Sequence, residues 1–217
     1  MSQPGAIAST FIHALAEAGA SEYPFRHWQL RDSLPAGIPP AVSRLPLSPP
    51  PSDTDGRRDT QNATRSYCGA VNRRRFQVCD DLAQAFQSTR VVRTIERICK
   101  TKLSGTFLRI EYCQDTNGFW LEPHTDIGAK RFTLLVYLSD GDHASNWGTD
   151  LYDGQLNFAG RAPYGTNRGL AFVPGDTTWH GFEPREIRGV RRSLIVNYVS
   201  GDWRSRHELA FPDIPVA

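Results

Sequence analysis

The chain lacks what would mark a membrane, secreted or nucleic-acid-binding protein. No apolar run approaches the ~18 residues that suggest a membrane span. Residues 1–20 hold no basic cluster ahead of an apolar stretch, which speaks against a secretory leader. The net charge of +2 gives no electrostatic footprint for nucleic acid. Cysteine is scarce: Cys68, Cys79, Cys99 and Cys113 are scattered and none form a C-x-x-C pair. That spacing argues against a structural zinc site and fits reduced thiols in a cytoplasmic protein. No internal repeat is visible, so a solenoid is not indicated.

What is present is an ordinary globular composition, 39% hydrophobic and 22% charged, over 217 residues. That length suffices for one domain with a sizeable core. Basic residues cluster only locally, at Arg57-Arg58 and Arg73-Arg74-Arg75. They read as solvated surface or contacts to a neighbouring loop, the functional alternative being recognition of an anionic substrate.

Helical signals come first. Ile7, Phe11, Ile12 and Leu15 share one face of an amphipathic helix over residues 6–18, with Gly19 as a stop. Residues 25–30 alternate as a short strand. Residues 33–56 are dense in proline, including Pro39-Pro40 and Pro49-Pro50-Pro51, which argues against a helix or a central strand. A loop of this length reads as a lid over a site or as a linker. Residues 80–100 form a second helical region, capped by Asp80 or Asp81 and breakable at Ser88-Thr89. From residue 104 the pattern turns to short β-rich runs: 106–113, 117–122, 131–138, 149–152, 169–174, 178–183 and 191–199. Turn clusters such as Asp115-Thr116-Asn117-Gly118 separate them, as in a sandwich or barrel. Helices first and strands later predict an α+β, mainly β, fold.

The chemistry concentrates in Glu122-Pro123-His124-Thr125-Asp126 and Trp179-His180-Gly181. Side chains at i and i+2 of a strand share a face, so His124 and Asp126 can reach one metal if the segment is extended. His180, 56 residues after His124, must come from another strand. Two imidazoles and a carboxylate form the facial triad of non-haem Fe(II) oxygenases, with coordination positions left open. His13, His27, His143 and His207 have no such partners and read as structural. Eleven residues after His180, Arg191 opens a long apolar strand. A buried arginine needs an anion, which a dicarboxylate co-substrate or a structural Asp or Glu would supply. By strand parity Arg191 and Ser193 share one face and Arg192 points the other way.

Residues 104–200 resemble the Fe(II)/2-oxoglutarate-dependent oxygenases of the prolyl-hydroxylase-like branch. The matching pieces, in the family's order, are Leu108-Arg109-Ile110-Glu111-Tyr112, Leu121–Asp126, Arg131–Ser139, Trp147–Tyr152, Phe172–His180 and Arg191-Arg192-Ser193-Leu194. The resemblance implies a double-stranded β-helix (jelly-roll) core over 104–200, supported by a helical and loop-rich region, 1–103, in a single domain spanning 1–217. It implies Fe(II) held by His124, Asp126 and His180, and 2-oxoglutarate held by Arg191, Ser193 and Tyr112. O2 would be the oxidant and ascorbate a stimulant. The implied activity is a dioxygenase hydroxylating an unactivated C–H of a small molecule or a peptidyl side chain, with release of succinate and CO2. The presence of Asp126 favours hydroxylation over halogenation, which needs a small residue there. One departure is Gly148-Thr149, where the family has Gly-Gly; it is expected to alter a loop rather than the chemistry. Trp120, Trp147 and Arg73–Arg75 are candidates for the entrance. The alternative is a cupin-like metal enzyme, or a metal-binding domain, that does not use 2-oxoglutarate.

Overall fold

The computed structural model describes residues 2–49, 56 and 65–217. Arg57-Arg58 and residues 50–55 of the proline-rich stretch lie outside the described residues. Helix α1 (Gln3–Glu17) opens with a proline in its first turn and buries Ile7, Ala8, Phe11, Ala14 and Leu15 along one stripe. Strands β1 (Ala20–Ser21) and β2 (His27–Leu30) follow. The proline-rich stretch then departs from expectation, because Ile38–Ser43 forms a short helix, α2. Pro39 and Pro40 sit in its first turn, where backbone N–H groups have no intrahelical acceptor and proline costs nothing.

Strand β3 (Ser66–Tyr67) and helix α3 (Ala70–Arg75) lead into α4 (Gln77–Gln87) and α5 (Thr89–Cys99). The break falls at Ser88, whose extended backbone ends α4 and whose hydroxyl accepts from Val91 N at 3.4 Å to cap α5. Asp80 and Asp81, expected as caps, lie inside α4; Phe76 occupies its N-cap without a side-chain bond.

Eight strands complete the chain: β4 (Phe107–Asp115), β5 (Leu121–His124), β6 (Lys130–Tyr137), β7 (Asp150–Tyr152), β8 (Phe158–Arg161), β9 (Gly169–Phe172), β10 (His180–Phe182) and β11 (Arg191–Val199). They form two sheets with antiparallel neighbours, ordered β1-β2-β9-β6-β11-β4-β3 and β5-β10-β7-β8. Two cores follow from strand alternation. Leu108, Ile110 and Tyr112 of β4, Phe132, Leu134 and Val136 of β6, and Leu194, Val196 and Tyr198 of β11 pack against α1, α2, α4 and α5. The opposite faces of β6 and β9 meet the smaller sheet through Leu135, Tyr137, Leu170, Phe172, Leu151 and Phe182. The layers are therefore helices, large sheet, small sheet. Among the described residues no helix is long and apolar enough to cross a membrane.

Candidate metal centre and its cavity

His124 ends β5 and His180 begins β10, and the two residues are paired in register across that ladder. Their rings lie 4.4 Å apart, centroid to centroid. Asp126 lies just beyond β5 rather than within it. Its carboxylate nonetheless joins them: the three candidate ligand atoms all lie within 4.8 Å of one another. The two strands come this close because residue 181 is glycine. A Cβ there would stand 2.8 Å from the carbonyl oxygen of Leu121 and 3.1 Å from that of Glu122.

The imidazoles are set up as ligands by their own backbones. His124 Nδ1 is 2.9 Å from the Glu122 carbonyl and His180 Nδ1 is 2.9 Å from the Thr178 carbonyl. A carbonyl can only accept, so each Nδ1 carries a proton, and in the neutral ring Nε2 keeps its lone pair for a metal. Asp126 accepts from Lys130 Nζ on one oxygen and from the Thr133 hydroxyl on the other, both at 2.7 Å. Two neutral imidazoles and a carboxylate are a fitting donor set for a first-row divalent ion.

The triad lines a cavity of about 140 Å³ between the two sheets. Alternation decides its other walls. On β4 the odd-numbered Arg109, Glu111, Cys113 and Asp115 face in; on β11 Arg191, Ser193 and Ile195 do. Arg192 faces the other way, with its backbone N–H on Ser139 Oγ at 2.8 Å, and it lines a separate groove beside α2. Tyr112 departs from expectation. It points into the helix-side core with Leu108 and Ile110, so it does not line the cavity. Its neighbour Cys113 does.

Arg191 is buried, its Nε donating to the Trp147 carbonyl at 2.8 Å and its Nη1 paired with Asp115, its register partner on β4. Burial, the largest single influence, would lower its pKa, but Asp115 together with Tyr164 and Tyr137 raises it above the ordinary value and the guanidinium stays charged. Midway along β4, Glu111 is clasped between Arg65 and Arg109. Burial would raise the Glu111 carboxyl, yet the two guanidiniums hold it well below the usual range. Arg109 also donates to Glu208 at 2.6 Å.

Thr149, Trp147 and Arg73 divide between the cavity wall, the inter-sheet core and α3. Thr149 is part of the cavity wall, where its hydroxyl bonds the buried Tyr137 hydroxyl at 2.9 Å, so the Gly148-Thr149 departure touches the site. Trp147 lies in the inter-sheet core rather than at an entrance. Arg73 pairs with Asp80 and donates to the Ala210 carbonyl, a structural tie on α3 away from the cavity. Lys130, Thr133 and the charged row on β4 were not among the expected site residues. The signal for the β4 row was the alternation Arg-x-Glu-x-Cys-x-Asp over 109–115, set against Leu108, Ile110 and Tyr112 on the other face; Lys130 and Thr133, on β6, carried no such signal.

No family model matches the sequence, and no curated protein matches it. Solved structures do match, and the fold they share with this chain is that of prolyl-hydroxylase-like 2-oxoglutarate–Fe(II) oxygenases. A Pseudomonas putida prolyl-4-hydroxylase aligns at TM-score 0.58 and 15% identity over 89% of this chain and 98% of its own. A Trichoplax adhaerens prolyl hydroxylase, solved with a hypoxia-inducible-factor oxygen degradation domain peptide fragment, aligns at TM-score 0.60 and 13% identity over 91% of each chain. A 2OG-Fe(II) oxygenase family protein from Burkholderia pseudomallei aligns at 0.54 and 14%, over 88% of this chain and 89% of that one.

Proposed function

We propose that the protein is an Fe(II)- and 2-oxoglutarate-dependent dioxygenase that hydroxylates an unactivated C–H bond. The observation that carries this reading is the triad itself. Two imidazoles whose Nδ1 protons are fixed by carbonyls, and one carboxylate, converge within 4.8 Å inside a cavity that also exposes an arginine and a serine. In this reading the two sheets are the halves of a double-stranded β-helix.

His124, Asp126 and His180 would hold the iron. When bound, the metal supplies O2 activation coupled to decarboxylation of 2-oxoglutarate to succinate and CO2. The chain's own residues do the rest. The carbonyls of Glu122 and Thr178 keep both imidazoles in the ligating tautomer. Lys130 and Thr133 fix the Asp126 carboxylate. Arg191 and Ser193 offer a charge-assisted hydrogen-bonding site for the distal carboxylate of the co-substrate. Phe119, Leu121, Leu135 and Phe182 give the cavity its apolar wall and limit water. The substrate is a small molecule or a peptidyl side chain, the latter by analogy with the peptide-bound Trichoplax enzyme.

The pairing of Arg191 with Asp115 favours a second reading, a cupin-like metal enzyme that uses no 2-oxoglutarate. Incubation with Fe(II), 2-oxoglutarate and ascorbate separates the two: succinate should accumulate under the first and not under the second. His124→Ala, Asp126→Ala and His180→Ala should each abolish that turnover and metal binding while the circular dichroism stays native. A variant retaining both would remove its residue from the triad.

A further inference from the structure

Thr133 on β6, Asn197 on β11 and Arg109 on β4 occupy one rung of the large sheet: Asn197 is in register with Thr133 on one side and with Arg109 on the other. All three are almost fully buried. Cross-strand neighbours on one face are close enough for their side chains to bond, and these do. Arg109 Nη1 donates to Asn197 Oδ1 at 3.1 Å, Asn197 Nδ2 donates to Thr133 Oγ1 at 2.9 Å, and the Thr133 hydroxyl donates to Asp126 Oδ2 at 2.7 Å.

The direction of this chain is dictated by its first member. A guanidinium has only donors, so Asn197 must turn its carbonyl oxygen to Arg109. Its amide nitrogen then faces Thr133, and Thr133 accepts there. The one proton of the Thr133 hydroxyl is left pointing at Asp126. The far end is anchored as well, because Arg109 is held by Glu111 and Glu208, both at 2.6 Å. Its ring neighbours Tyr67 and Trp203 lie 4.8 Å and 5.2 Å from the guanidinium carbon.

We infer that Asn197, Thr133 and Arg109 are positioning residues that aim the Asp126 carboxylate at the metal through a hydrogen-bond relay of fixed polarity. The inference rests on the reading of His124, Asp126 and His180 as metal ligands. Thr133 holds one carboxylate oxygen and Lys130 holds the other, both at 2.7 Å, so the Asp126 carboxylate is presented to the imidazoles in one fixed orientation. A partner beyond the first ring of ligands commonly changes metal affinity by ~10–100-fold when it is removed.

The test uses Co(II) and Mn(II) as probes and needs no turnover. Isothermal titration gives the Mn(II) dissociation constant, and visible absorption of the Co(II) protein reports ligand geometry. Thr133→Val, which keeps the shape and removes the hydroxyl, should weaken Mn(II) by ~10-fold or more and alter the Co(II) bands. Thr133→Ser should restore both. Asn197→Asp keeps the shape but reverses the polarity: the new carboxylate can only accept, draws the Thr133 proton to itself, and should alter the Co(II) bands as Thr133→Val does. Wild-type affinity and bands in Thr133→Val, failure of Thr133→Ser to rescue, or unchanged bands in Asn197→Asp would each overturn the relay. If the wild-type chain bound neither ion, the metal-centre reading itself would fall, and the relay with it.

Discussion

Arg191 and Asp115 face each other across the β4–β11 ladder and form a buried ion pair at the end of the cavity farthest along β11 from Asn197. The guanidinium assigned to a co-substrate carboxylate thus already has a carboxylate of its own. Binding of 2-oxoglutarate must share Arg191 with Asp115 or displace it. Asp115→Asn, which keeps the shape and removes the charge, should therefore lower the 2-oxoglutarate KM by about tenfold, equivalent to ~1.4 kcal/mol. Arg191→Ala should raise it by about two orders of magnitude. Arg192→Ala, on the opposite face, should change it by roughly threefold at most. Steady-state succinate assays measure all three. An Asp115→Asn enzyme with unchanged or higher KM would show that the pair does not compete with the co-substrate.

Lys130 sets up a second competition. Its ammonium lies 2.7 Å from Asp126, where it neutralises a buried carboxylate and also repels an incoming dication. Lys130→Met should be less stable than the wild type without metal, because Asp126 loses a buried counter-charge. It should gain more in melting temperature on adding Mn(II). Thermal unfolding with and without Mn(II) reads both effects. A metal-induced gain no larger than that of the wild type would show that Lys130 does not oppose the ion.

Acid should attack the Glu111 clasp. Glu111 is buried but held ionised by Arg65 and Arg109, so its folded-state pKa lies well below the ordinary 4.5. A depressed carboxyl pKa contributes stability that is present above the unfolded value and is lost as pH falls toward the folded one. Glu111→Gln should cost about 3–5 kcal/mol at pH 7, since it leaves two guanidiniums short of a counter-charge. The gap to wild type should narrow steadily below pH 4.5. Urea unfolding at neutral and acid pH provides the comparison, and a gap independent of pH would contradict the clasp.

The four cysteines are unpaired and buried. Burial pushes the Cys99 thiol up to about 12, and it pushes Cys113 upward too. The hydrogen bond between Cys68 and Cys79 raises the former and lowers the latter. A thiol reagent at pH 8 should find four groups in denaturant and react slowly with the native protein, at Cys79 first. Fewer than four in denaturant would mean a disulfide.

The long apolar runs were legible because alternation survives in them: β4, β6 and β11 lie within about two residues of the runs that predict them. The side to which Arg191 and Arg192 point followed from the same parity. Tyr112 shows the limit. Its likeness to a family tyrosine rested on order along the chain, whereas its face is fixed by β4 pairing with β11, which puts Cys113 opposite Ser193. Asp126 shows another: strand spacing suggested its convergence with His124, but β5 stops at His124, and bonds from Lys130 and Thr133 hold the carboxylate instead. Strand β8, Phe-Ala-Gly-Arg, carries no alternation of its own and is defined by its partner β7. The helix at Ile38–Ser43 was hidden because proline forbids helix interiors but not first turns.

Gly181 leaves no room for a methyl group between β10 and the carbonyls of β5. The bite of the two imidazoles is therefore gauged by main chain against main chain, like jaws set by a shim of minimum thickness. Any side chain at this position would widen the jaws without touching a ligand. Gly181→Ala would thus be a way to retune which ion the centre prefers while leaving every donor atom chemically unchanged.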